Sequence, residues 1–232
     1  EPLWFLSKLA ASFAVAGSAW FLFLIAAERL RLSSAILLAL AYGLGTSAWS
    51  VSSQTLWQHG PTEFFLALGM YGLFQRTRAY GAFLAGLAFA LAFLCRPTSS
   101  LAVVAGFLVL LADRRSLLRY VLGGAPVAAA FLLYNWHFFG QLVTFGQVTA
   151  LASRFKIGDT AVLFQQSFAT GLAGVLVSPS RGVFVYSPIF VFSVWGVCKI
   201  WKERRDLPLR AAAIAAAGIW LVTARWRGWW GG

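Results

Sequence analysis

Three clusters of polar residues interrupt an otherwise apolar chain of 232 residues. The first is Gln58-His59-Gly60-Pro61-Thr62-Glu63. His59 and Glu63 form a titratable pair able to share a proton or hold an acceptor hydroxyl, with Gln58 beside them as a substrate contact. Pro61 and Thr62 read as a helix start, which gives Glu63 a second reading as a first-turn acid favoured by the helix dipole. The second cluster joins Arg96-Pro97-Thr98 to Ser178-Pro179-Ser180-Arg181-Gly182. Two guanidinium groups on one face can clamp a phosphate or pyrophosphate bidentately, although each alone can equally snorkel or cap carbonyls. Tyr186-Ser187-Pro188 follows, where Tyr186 can reach the same anion or Pro188 can kink its helix. The third cluster is aromatic: Tyr134-Asn135-Trp136-His137-Phe138-Phe139, and Trp226, Trp229 and Trp230 flanked by Arg225 and Arg227. It reads as an interfacial belt, or as faces that stack on a ring, with Asn135 an amide that needs a partner at that depth.

No glycine-rich phosphate loop and no Ser-His-Asp spacing occurs, so nucleotide hydrolysis and serine-hydrolase chemistry have no sequence support. Two histidines in the whole chain argue against a zinc site, and no metal ligand is assigned.

The elements that must position these residues follow from composition. The chain is 60% hydrophobic, 16% aromatic and 11% charged, against roughly 25% charged in a soluble domain. An all-α polytopic transmembrane bundle is expected, as one membrane-embedded domain over 1–232. Apolar runs predict eight spans, at 9–27, 34–50, 62–75, 79–95, 99–112, 117–136, 183–201 and 207–224. The runs at 62–75 and 99–112 hold 14 residues each, short of the about 20 that cross a bilayer, so either can be re-entrant. Continuous Leu, Ala, Phe and Val exclude the alternating pattern of a β-barrel. Gly81, Gly86, Gly123, Gly124 and the Ala-rich run from Ala211 to Ala217 are expected to bring helices close together.

The formal charge of +12 then has a topological explanation rather than a nucleic-acid one. If all eight segments cross, twelve cations fall on one face: Arg29, Arg31, Arg76, Arg78, Arg114, Arg115, Arg119, Lys199, Lys202, Arg204, Arg205 and Arg210. Seven fall on the other: Lys8, Arg96, Arg154, Lys156, Arg181, Arg225 and Arg227. The positive-inside rule places the twelve in the cytoplasm and both chain ends outside. Glu28, Arg29 and Arg31 follow the first apolar run, which argues for a span there and against a signal peptide. Cys95 and Cys198 fall at opposite ends of their spans, too far apart to bridge, and are expected as buried thiols.

The one long connection, 137–182, lies on the outer face in this scheme. Its second half predicts an amphipathic interfacial helix capped by Asp159, with Phe164, Phe168, Leu172 and Val175 on one side and Gln165, Gln166 and Thr170 on the other. Such a helix shields the bundle or roofs a cavity where a lipid-linked substrate meets water.

Taken in order, Gly45-Thr46-Ser47-Ala48-Trp49-Ser50, Leu56-Trp57-Gln58-His59-Gly60-Pro61, Arg96-Pro97-Thr98, Tyr134-Asn135, Ser178-Pro179-Ser180-Arg181-Gly182, Tyr186-Ser187-Pro188 and Trp229-Trp230-Gly231-Gly232 resemble the GT-C superfamily. These are polytopic glycosyltransferases of bacteria, among them protein mannosyltransferases and lipid A aminoarabinose transferases. The resemblance covers most of the chain. It implies transfer of a sugar from a polyprenyl-phosphate donor to an extracytoplasmic lipid, glycan or protein, in the bacterial inner membrane, with the lipid-linked sugar as substrate and no nucleotide-sugar site. Under it, His59 and Glu63 are catalytic, Arg96, Arg181 and Tyr186 hold the donor phosphate, and Gln58, Asn135, Trp229 and Trp230 line the substrate site. Members carry an essential acid in the first outer loop and have more spans than this chain holds. Here only Glu1 precedes the first apolar run, so that acid is expected upstream of a chain incomplete at both ends, and the Gln58–Glu63 stretch matches a second polar position. A transporter and a noncatalytic membrane scaffold are the rival readings; a transporter predicts related halves and acids deep within spans, and neither is found.

Overall fold

The computed structural model describes residues 2–146, 153, 164–203 and 206–226, and all regular structure among them is helical. Three helices are long and apolar enough to cross a membrane: α1 (Pro2–Ala27), α6 (Arg114–Phe139) and α10 (Leu207–Arg225). The other expected spans fall on shorter helices: α2 (Leu32–Gly45), α3 (His59–Phe74), α4 (Gly81–Cys95), α5 (Ser100–Leu110) and α9 (Phe190–Glu203). At 1.5 Å per residue α1 is about 39 Å long and α3 about 24 Å. Shortness therefore extends beyond the two runs that the sequence flags.

Two expected spans are broken, each for a local reason. The run 34–50 stops at Gly45 and resumes as a single π-helical turn, Ala48–Ser52. At the break the Thr46 hydroxyl donates to the Tyr42 carbonyl at 2.6 Å and accepts from the Ala48 amide at 3.2 Å, replacing ladder bonds with side-chain bonds. The run 183–201 divides into α8 (Val183–Tyr186) and α9. Pro188 bars Ser187 from the helical region, and Ser187 takes φ −143° and ψ 65°. The kink expected from Pro188 is therefore a full break.

The long connection also differs from expectation. α6 runs on to Phe139 and ends at Gly140, whose φ of 65° terminates it in the left-handed region. The only helix described in the second half of the loop is α7 (Phe168–Val177), so Phe164, Gln165 and Gln166 precede it instead of lying on its faces. Thr170 is the one polar side chain left on it, so the described helix is apolar and not amphipathic. Asp159 lies outside the described residues.

The core is shared by α3, α4, α5 and α6 through Leu73, Ala82, Ala85, Phe89, Ala102, Leu110 and Tyr120. Small residues set the spacing, as expected: a methyl group on Gly86 would run into the Tyr120 carbonyl, and one on Gly123 into that of Phe83. α1 packs on α3 and carries α2 on its flank. On the other side α10 packs on α5 through Ala211, Ala215 and Ala105, and α7 lies on α10 where Gly171 meets the Ala224 backbone. Phe164 meets Trp226 edge-to-face at 5.0 Å beside that contact. α9 buries no residue, so Cys198 on it is exposed, contrary to the buried thiol expected.

Interior and surface are inverted relative to a water-soluble protein. Ser18, Ser52, Ser99, Asn135 and Ser187 are buried, whereas Leu3, Phe13, Leu37, Leu133, Phe192 and Trp195 are exposed. Apolar surface on this scale fits a lipid-facing shell.

The bundle has two chemically distinct ends. At one, Arg29 pairs with Asp206 and covers the Phe74 ring, Gln75 donates to Glu28, and Ser116 donates to the Arg76 carbonyl at 3.3 Å. At the other, Ser12 donates to the Ser53 carbonyl at 3.3 Å and the Gln166 amide donates to the Arg225 carbonyl at 3.2 Å. The twelve-cation set clusters at the first end. Arg154, Lys156, Arg204, Arg205 and Arg227 lie outside the described residues.

Candidate functional site

α3 begins at His59, two residues before the proline that marks its start in the sequence; proline is tolerated there because first-turn amides have no intrahelical partner. Gln58 is the N-cap, and its carbonyl accepts from the Thr62 amide at 3.1 Å. Glu63 consequently falls outside the first turn and does not serve the helix start.

The Glu63 carboxylate is held from both sides instead. Tyr42 on α2 donates to one oxygen at 3.0 Å, and Ser52, on the π-helical turn, donates to the other at 2.6 Å. Ser18 Oγ, fully buried on α1, stands 2.9 Å from the Tyr42 oxygen and 2.6 Å from the Val15 carbonyl. With Tyr42 donating to Glu63, the single Ser18 proton is shared between those two acceptors. Four elements thus meet at one carboxylate, and the break at Thr46–Ser47 is what turns Ser52 toward it.

His59 and Glu63 do not pair with each other, contrary to the shared-proton expectation. His59 Nδ1 lies 3.0 Å from an Arg96 guanidinium nitrogen. A guanidinium only donates, so Nδ1 accepts and the ring proton sits on Nε2. His59 in this arrangement is a neutral ring with one N–H free to donate. Arg96 is half-buried where α4 ends and the 3₁₀ turn Pro97–Ser99 begins. Its charge acts on Glu63 as well as on His59, so it links the two groups that fail to meet.

Arg181 projects from the exposed turn at 178–182. That turn closes on itself: Ser178 and Ser180 hydroxyls lie 2.8 Å apart, the Gly182 amide donates to the Ser178 carbonyl at 2.7 Å, and Tyr186 Oη donates to the Pro179 carbonyl at 2.7 Å. Tyr186 therefore braces the turn that presents Arg181, and its proton is not free for a phosphate. Arg181 acts electrostatically on the same His59 ring as Arg96, so two cations from distant parts of the chain converge on one histidine.

Asn135 is buried on α6, and its Nδ2 has no acceptor among the described residues. Phe131, one turn earlier, meets Phe93 of α4 at 5.7 Å. That register brings Asn135 toward the level of Arg96, one turn beyond Phe93. Tyr134, Trp136 and Phe138 are exposed, with Tyr134 and Phe138 rings 4.7 Å apart, as an interfacial belt requires. Trp229 and Trp230 lie outside the described residues. No group of three or more His, Cys, Asp or Glu side chains that could hold a metal occurs among the described residues.

Tyr42, Ser52 and Ser18 are the site residues that sequence reasoning misses. Only the polar pair Ser52-Ser53 stands out as a signal. Comparison with family models, with curated proteins and with solved structures gives no match for this chain.

Proposed function

We propose that this chain is a membrane-embedded glycosyltransferase that takes a sugar from a polyprenyl-phosphate donor and passes it to an extracytoplasmic acceptor. The observation that carries this reading is the convergence of Arg96 and Arg181 on His59, with the braced carboxylate of Glu63 inside the field of Arg96. Charge develops on the phosphate as the glycosidic bond breaks, and fixed cations in a poorly hydrated pocket stabilise it more than water does. Glu63 orients the acceptor hydroxyl or takes its proton, and the His59 Nε2–H donates to donor or acceptor. Asn135 supplies an amide donor whose burial costs about 1–3 kcal/mol until a partner oxygen arrives.

An apolar groove between α1 and α2, of about 410 Å³, suits the polyprenyl tail. Trp20 and Phe23 line one wall and Ile36 and Leu40 the other, with Tyr42 and Ser18 within a turn of its lining.

The test is incubation of the protein in liposomes with labelled polyprenyl-phosphate sugars, following label into lipid, glycan or protein. Arg181→Ala is expected to abolish transfer while leaving expression and membrane insertion intact. Retained transfer by that variant rejects the phosphate role, and absence of transfer from every donor by the unaltered protein rejects the enzyme.

A further inference from the structure

At the basic end of the bundle, opposite the candidate site, a cleft of about 510 Å³ opens between the α3–α4 connection and the start of α6. It is lined by Thr77, Ala79, Asp113, Arg115, Ser116 and Arg119. Arg115 and Arg119 are one helical turn apart, so their side chains leave the same face of α6. Neither guanidinium makes a hydrogen bond or ion pair with a described residue. The one acid in the lining is already engaged: Asp113 Oδ1 accepts from the Arg115 and Ser116 amides at 3.1 and 3.3 Å, which caps α6. Since the helix start is satisfied by Asp113, any anion in the cleft is drawn by side chains, with Arg76, Arg78 and Arg114 close by in sequence adding to the positive field.

The cleft's surroundings identify the anion's carrier. Beyond Arg119 the exposed surface of α6 is Leu118, Val121 and Leu122, and α4 presents exposed Phe83 beside them. A headgroup seated between the arginines would lay its acyl chains along this apolar wall, whereas a free anion would leave it unused. We propose that this cleft binds the phosphate of an anionic phospholipid of the cytoplasmic leaflet, with Arg115 and Arg119 as its clamp. This requires only that the chain lies in a bilayer; it does not rest on the transferase reading.

The experiment compares nanodiscs of phosphatidylcholine with and without phosphatidylglycerol, using native mass spectrometry to count lipid retained on the full chain. The unaltered protein is expected to retain phosphatidylglycerol in preference to phosphatidylcholine, and R115Q/R119Q to weaken that retention roughly thirtyfold, from about 1 kcal/mol per cation near the membrane surface. R31Q/K202Q removes the same charge from exposed positions elsewhere on that end and should leave retention unchanged. Equal losses from the two double variants would reduce the effect to general surface charge and overturn the cleft. Displacement of phosphatidylglycerol by glycerol phosphate in the buffer, or no lipid preference in the unaltered protein, would overturn the lipid assignment. Both variants alter solvent-facing side chains, and matching helical circular dichroism confirms that retention is compared between folded proteins.

Discussion

Glu63 has two donors and no basic partner in hydrogen-bond contact, so its environment is built to hold a carboxylate oxygen in place. Glu63→Gln keeps the shape but substitutes a donor where Tyr42 and Ser52 both already donate, forcing one bond to break. Turnover is expected to fall by about a hundredfold, the scale of a positioned acid or base, with the donor KM little changed. Steady-state kinetics in liposomes checks this, and an unaltered turnover reduces Glu63 to a structural group. Tyr42→Phe removes one of the two clamps and leaves the Ser18 hydroxyl facing a ring edge. It is expected to lower stability by about 1–3 kcal/mol, the usual cost of stripping a buried polar group of its partner. A detergent thermal melt measures it, and Tyr42→Phe together with Ser18→Ala should cost less than the sum of the two single changes. Polar types at Gln58, His59, Glu63, Arg96 and Arg181 are legible in the sequence because ionisable groups stand out against Leu and Ala. Their partners are not: Tyr42 sits in an apolar run where it reads as lipid-facing, and it reaches Glu63 only through packing of α2 on α1 and of α1 on α3. The His59–Glu63 pair fails for the same reason, since spacing along one helix says nothing of an arginine arriving from the end of the next.

Among the elements, small residues control the packing. Gly86→Val or Gly123→Val sets a branched side chain against a neighbouring backbone, and α4 and α6 must separate. A loss of about 1–3 kcal/mol is expected, read as a fall in the thermal midpoint. The same change at Gly43, where nothing lies within 4 Å of a new Cβ, should be nearly silent. The cap of α6 adds a pH dependence. The side-chain hydrogen bond from Ser116, followed by its amide, holds the Asp113 carboxyl below the usual carboxylate range. A group with a lowered folded-state pKa contributes stability at neutral pH and loses it as pH falls through that value. Asp113→Ala should therefore melt lower at neutral pH, with the difference from the unaltered protein shrinking toward acid. Helix positions were readable from apolar runs because each run is bounded by charge or proline. The breaks at Thr46–Ser47 and Ser187–Pro188 were less so: the first depends on a threonine hydroxyl choosing a backbone carbonyl, and the second was visible as a kink but not as a complete interruption.

At the scale of the whole molecule, the two ends carry different chemistry, and the proposals depend on which side each faces. Single cysteines at positions 96 and 181, in a background lacking Cys95 and Cys198, should react together with an impermeant thiol reagent added from the extracytoplasmic side. Cysteines at 78 and 115 should react only after the membrane is opened. Labelling of 96 and 181 from opposite sides would remove the shared phosphate site. The charge count alone assigned these ends, because cations accumulate where they need not be translocated, and the contacts joining Glu28, Arg29, Gln75, Arg76, Ser116 and Asp206 bring the same group together in space.

The inequality of helix lengths has a further effect on the lipid. α1 is long enough to reach from headgroup to headgroup, yet α3, α4 and α5 beside it extend only about 16–24 Å against a hydrocarbon slab of about 30 Å. Mismatch of this size is relieved by thinning, so the bilayer must dimple where these three helices stand. Water and a soluble acceptor can then descend toward the first turn of α3, while the isoprenoid remains in oil a few ångströms away.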